Sequence, residues 1–106
     1  MTIYRYYFNH QTNEVEKTIF SNVEPFLDCF VYKKNWRDGT QTLKRVCEKK
    51  QLEEYERYVL YSTNGNKENE FVELVIEQKQ QKIRELMEEY NKCTIAIRKL
   101  ENQRKG

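Results

Sequence analysis

From Thr2 to Asn9 the chain alternates with a period of two: Tyr4, Tyr6 and Phe8 fall on one face, Ile3, Arg5 and Tyr7 on the other, as a half-buried strand requires. The polar run His10-Gln11-Thr12-Asn13-Glu14 separates it from Val15 to Phe20, where Val15 and Ile19 alternate with Glu16 and Thr18, and the two runs predict a hairpin. Pro25 to Tyr32 is ambiguous. Phe26, Leu27, Phe30 and Val31 suit a short helix with Pro25 in its first turn as well as a buried strand, and the strand is the preferred reading. Trp36-Arg37-Asp38-Gly39 carries an Asp-Gly turn signal, after which Thr40 to Cys47 returns as an alternating, β-branched run. The charged segment Gln51 to Arg57 has room for a helical turn before a last short strand, Tyr58 to Ser62. Residues 1–63 therefore read as a β-rich half, a small antiparallel sheet of four or five strands.

Beyond Asn64-Gly65-Asn66 the period changes. From about Asn69, the expected N-cap, with Glu70 and Glu73 in the first turn, a helix runs to about Arg104 without a breaker, so residues 68–104 form one long element. Reading back from Leu100, the positions Ile97, Cys93, Tyr90, Leu86, Ile83, Lys79, Ile76 and Val72 follow alternating steps of three and four, and only Lys79 is not apolar. Such heptads mark a coiled-coil-like seam that packs on another helix. About 35 residues at 1.5 Å each make a helix of roughly 50 Å, whereas a globule of the whole chain would be about 30 to 35 Å across. Phe71, Leu74 and Val75 widen the apolar face early on, so Phe71 to Ile76 is expected to dock on the sheet. Ile83, Leu86, Tyr90, Cys93, Ile97 and Leu100 are expected to pair with another helix, in a homodimer. The alternative is a monomer whose helix lies across its own sheet. Either way the chain reads as a single α+β domain over residues 1–106.

Composition narrows the class further. A chain of 106 residues with 38% apolar residues builds one small core. Charged residues at 34% and a mean hydropathy of −1.01 leave no stretch able to span a bilayer, and no secretion signal opens the chain, so a cytoplasmic location is expected. Cys29, Cys47 and Cys93 are odd in number and far apart, which fits neither a disulfide framework nor paired metal-binding knuckles, and free thiols in a reducing compartment are the simpler expectation.

The groups able to carry chemistry do not form a constellation. The one histidine, His10, falls in a hairpin loop, where a solvated role is the usual one. Cys29 and Cys47 can meet on adjacent strands but read as core, and Cys93 lies in the helix seam. Glu53, Glu54 and Glu56, and likewise Glu85, Glu88 and Glu89, read as solvated faces with partners such as Lys92 four residues after Glu88. With no Gly-rich phosphate loop, metal-ligand spacing or nucleophile elbow, neither an enzyme nor a cofactor is expected.

Charge is segmented along the chain. Between Val31 and Lys50, Lys33, Lys34, Arg37, Lys44, Arg45, Lys49 and Lys50 stand against Asp38 and Glu48, a balance of +5; from Leu52 to Glu77 it reverses to −5, and from Gln78 onward it is +4. A basic hairpin interleaved with Tyr32 and Trp36 can bind a nucleic-acid backbone and stack on bases, or meet an acidic groove on a protein. It can also simply neutralise the acidic segment, with Trp36 capping the core. Lys33, Lys34, Trp36, Arg37, Lys44 and Arg45 are the partner-binding candidates.

The tyrosine-rich first hairpin, the segment ending Tyr58-Val59-Leu60-Tyr61-Ser62 and the long Lys/Glu/Gln-rich helix resemble small accessory proteins of phages and prophages of low-GC Gram-positive bacteria. The likeness is one of composition and layout over most of the chain. Such proteins include inhibitors of host defence systems, anti-CRISPR proteins among them, many of which occupy a target surface. The resemblance implies a non-enzymatic inhibitor with a host protein as partner and assigns no site residue. A small dimeric nucleic-acid-binding regulator, placing two basic hairpins on a duplex, is the alternative.

Overall fold

The expected first hairpin forms in register in the computed structural model, which describes residues 1–104: β1 (Ile3–Asn9) pairs antiparallel with β2 (Glu14–Phe20), from Ile3 opposite Phe20 to Asn9 opposite Glu14. The Asn9 side chain organises the turn, its Oδ1 accepting the N–H groups of Gln11 at 2.9 Å and Thr12 at 3.3 Å, and Asn13 takes the left-handed conformation at φ 59° that asparagine tolerates.

Beyond that hairpin the single sheet of four or five strands gives way to seven strands in two antiparallel sheets. The ambiguous apolar run is cut in two. Leu27, at φ 52°, turns the chain between β3 (Glu24–Phe26) and β4 (Cys29–Asn35), leaving Pro25 on an edge strand where its missing N–H costs no ladder bond. β4 then pairs with β5 (Gln41–Glu48), completing the order β3-β4-β5. The charged segment forms a 3-10 turn, Lys49–Gln51, followed by the two-residue strand β6 (Tyr55–Glu56) and β7 (Val59–Ser62). Arg57 and Tyr58, both at positive φ, make the tight turn between them, so the last strand starts one residue later than its sequence suggests. β7 returns to pair with β1, giving the order β2-β1-β7-β6.

Pairing on both sides places β1 inside its sheet, and both of its faces find cover. Ile3 joins Val23, Phe30, Val46 and Cys47, with Phe20, Tyr32, Leu52 and Tyr61 packed around them. Tyr6, on the other face, joins Leu60, Phe71 and Val75, flanked by Tyr4, Phe8, Val15, Tyr55 and Tyr58. The half-buried strand expected from alternation is thus buried on opposite faces at different points along its length. Arg5 and Tyr7, on the Ile3 face, cover each other, the guanidinium 4.5 Å from the ring centre.

The second cluster recruits the start of α1 (Glu68–Gln103), whose Phe71 ring lies 6.0 Å from that of Tyr6 and 5.6 Å from that of Tyr55. The expected docking face is present as Phe71 and Val75, four residues apart, with Leu74 half-buried, but Val72 and Ile76 stay exposed. The N-cap moves from Asn69 to Lys67, whose carbonyl accepts the Phe71 N–H at 2.9 Å while its own N–H donates to the Tyr6 hydroxyl at 3.1 Å. A tertiary contact thereby supplies the partner that a capping side chain would otherwise give. Gly65 in the preceding turn leaves room for the Tyr4 ring, which would have to shift to admit a Cβ that otherwise stands 2.8 Å from it.

By compactness the chain divides into Met1–Val75 and a second unit that begins at Ile76, a boundary inside α1 and not at the turn before it. The second unit continues α1 to Gln103, and apart from half-buried Gln78 and Thr94 its described side chains are exposed.

Candidate functional site

The β4–β5 hairpin carries the basic and aromatic residues singled out by charge. Its turn is built by Asp38, whose carboxylate accepts the Thr40 hydroxyl at 2.7 Å and the Thr40 N–H at 3.0 Å; these bonds hold the Asp38 carboxyl below its ordinary range. Gly39 supplies φ 85°, and the Trp36 N–H donates to the Thr40 carbonyl at 2.9 Å, closing the loop.

Strand alternation then sorts the candidates. Lys34 pairs with Thr42 and Tyr32 with Lys44, so these residues share a face with Trp36; Lys33 pairs with Leu43 and Val31 with Arg45, on the opposite face. The six partner-binding candidates therefore do not share one face. Lys34, Trp36 and Lys44 come together: the indole N–H donates to Thr42 Oγ1 at 2.9 Å, and the two ammonium groups lie 4.5 Å and 5.9 Å from the ring centre. At about 0.5–1 kcal/mol for an exposed cation–π contact, this arrangement fixes the orientation of the indole more than it stabilises the fold. Arg37 stands in the turn, where it lines a shallow hollow of about 530 Å³ with Trp36, Asp38 and Thr40. Lys33 borders a separate hollow with Val31, Asn35 and Leu43, and Arg45 belongs elsewhere, 3.7 Å from Glu48.

Trp36 is 44% exposed, so it does not cap the core. Nor does the hairpin neutralise the acidic segment. Glu53 pairs with Lys67 at 2.9 Å and Glu68 with Lys17, whereas Lys33, Lys34, Arg37 and Lys44 have no ion pair among the described residues.

A second surface escaped the sequence reading. Phe26 and Leu27, in the β3–β4 turn, are 49% and 78% exposed, and with Asp28, Arg45, Lys49 and Lys50 they line an open hollow of about 660 Å³. The signal was the ambiguous run itself. Its apolar residues could not all be core once Leu27 turned the chain.

The seam residues of α1 lie open in the single chain: Ile83, Leu86, Tyr90, Ile97 and Leu100 expose between 52% and 71% of their surface, and Cys93 is exposed. Half-burying those side chains in each of two chains is worth on the order of 10 kcal/mol gross, which association costs of about 4–15 kcal/mol largely offset. Apolar burial alone leaves the choice of helix partner to charge.

His10, Cys29, Cys47 and Glu53 are engaged structurally. His10 packs edge-on against Phe8 and Tyr58, each at 4.9 Å between ring centres. Cys47 lies in the core, where burial pushes its thiol up to about 11, and Cys29 donates to the Phe26 carbonyl at 3.2 Å. Burial opposes ionisation of Glu53, but bonds from Lys67, Thr63 and Ser62 outweigh it and hold the carboxyl below its usual range. Among the described residues no group of three or more His, Cys, Asp or Glu is placed to hold a metal ion, and no helix is long and apolar enough to cross a membrane. The chain matches no family model, no curated protein and no solved structure.

Proposed function

We propose that the protein works by binding and not by catalysis, as a phage-encoded inhibitor that occupies an acidic surface of a host defence protein in the cytoplasm. The observation that carries this reading is the Lys34–Trp36–Lys44 face. An exposed indole is locked by its own N–H and flanked by two cations that have no ion pair among the described residues. Interfaces draw most of their affinity from such aromatic and cationic anchors, and an indole already fixed in place loses little side-chain entropy on binding. Charge complementarity would act chiefly on the association rate.

The same face suits a second reading, a small nucleic-acid-binding regulator, because a cation-flanked indole can stack on a base while its lysines meet phosphates. Capture from a host lysate with the tagged chain, beside Trp36→Ala and a Lys34→Glu, Lys44→Glu variant, tests the first. Loss of a hot-spot anchor should weaken capture by about thirtyfold or more. Equal capture by all three moves the contact away from this face. Salt-sensitive binding of an oligonucleotide that Trp36→Ala abolishes would select the regulator instead.

A further inference from the structure

The charges of α1 from Glu77 to Lys92 invert about a point between Arg84 and Glu85. Residues 79–84 carry three cations, Lys79, Lys82 and Arg84, and no carboxylate, the mirror stretch 85–90 carries Glu85, Glu88 and Glu89 and no cation, and Glu77 mirrors Lys92. A segment with that antisymmetry is complementary to itself when reversed. We propose that α1 pairs with the α1 of a second copy of this chain, antiparallel, about a two-fold axis between Arg84 and Glu85. The inference stands apart from the hairpin reading, since no residue is shared.

The seam follows the same register. With Ile76, Ile83 and Tyr90 at the a positions and Lys79, Leu86 and Cys93 at the d positions, antiparallel packing layers each a residue on a d residue of the partner helix. The central layers set Ile83 against Leu86 of the second copy, the next set Lys79 against Tyr90, and the outer set Ile76 against Cys93. Lys79, the one non-apolar seam position, thereby lies beside an aromatic ring with a polar tip instead of against another lysine. Flanking the seam, Lys82 faces Glu89 of the second copy, twice by symmetry. Moving the register by one heptad brings Lys82 against Lys82 or Glu89 against Glu89. A parallel pair sets Lys79 on Lys79, runs like-charged blocks alongside each other and offers no charged partner to Lys82 or Glu89, whose neighbours become Met87 and Thr94. The exposed seam calls for a second helix, and the Lys82–Glu89 complementarity that the antiparallel register provides and the parallel one does not points to that helix being this one, reversed.

The full chain provides the test. Light scattering at micromolar concentration should give twice the 13.1 kDa of one chain. Under mild diamide oxidation, Ile76→Cys should form an intermolecular link between positions 76 and 93, located by peptide mass spectrometry, while the unaltered chain forms no link between its two Cys93 residues. Lys82→Glu should raise the dimer dissociation constant by about tenfold, and adding Glu89→Lys should restore it, because the exchanged pair is made between copies. A monomeric mass, a dominant Cys93–Cys93 link, or failure of the double exchange to restore pairing would each overturn the proposal. All three positions are exposed, so the substitutions leave the core intact.

Discussion

Removing one oxygen, in Tyr6→Phe, tests how the sheet holds the start of α1. The Tyr6 hydroxyl donates to the Asn64 carbonyl at 2.7 Å and accepts the Lys67 N–H at 3.1 Å, bridging the turn before the helix to its first residues. The ring is fully buried, so phenylalanine keeps its packing on Phe71 and Leu60. Each bond contributes about 0.5–1.5 kcal/mol net, and the carbonyl and N–H left behind are only partly open to water, so the loss should be about 2 kcal/mol. In a small domain stable by about 5–15 kcal/mol that is a large fraction. Urea unfolding followed by far-ultraviolet circular dichroism should show an unchanged slope and a midpoint lower by about 1 M, taking a slope of about 2 kcal/mol per molar. Hydrogen exchange at the Lys67 amide should quicken beyond what the global change explains. A midpoint within about 0.2 M of the parent would show that the hydroxyl's partners are satisfied without it, and the capping argument would fall.

Phe71→Ala removes a fully buried ring shared by Tyr6 and Tyr55 and should destabilise Met1–Val75 by about 3–5 kcal/mol, read as lost near-ultraviolet dichroism and an early thermal transition. Glu53 is held below its ordinary range in the folded chain, so its contribution is present above the unfolded carboxylate value and disappears as pH falls through the lower folded one; Glu53→Gln should flatten the acid limb of a stability-against-pH curve. Cys47, pushed up to about 11 by burial, favours the protonated fold, so its contribution declines as pH rises from about 9 toward 11. At neutral pH a thiol reagent should label Cys47 only on unfolding, and labelling of Cys47 in the folded chain would contradict the burial.

Periodicity alone disclosed β1, β2, β5 and α1, because each has enough residues for a period of two or of 3.6 to declare itself. The count of strands was hidden because β6 has two residues, too few for any period, and because Leu27, Arg57 and Tyr58 turn the chain without the glycine or asparagine that marks such turns. Charge counting found the hairpin but could not divide it between faces. That division depends on register, and Arg45 is separated from Lys44 by nothing more than the pleat. The Lys67 cap was illegible for a different reason: its partner, the Tyr6 hydroxyl, is 61 residues away in sequence.

Leu27 poses the sharpest conflict between stability and surface. At φ 52° a leucine pays the left-handed penalty of roughly 1–2 kcal/mol, yet its side chain is 78% exposed and recovers little by packing. A residue under strain with no packing return points to a role outside the fold. Leu27→Asn keeps a side chain that tolerates this conformation and should raise stability by about 0.5–1 kcal/mol. If the turn serves recognition through its hollow with Phe26, Lys49 and Lys50, the same variant should be the more stable protein and the poorer binder in the lysate capture. A fall in stability on replacing Leu27 would show instead that the leucine packs in solution, and the strain would then have a structural cause.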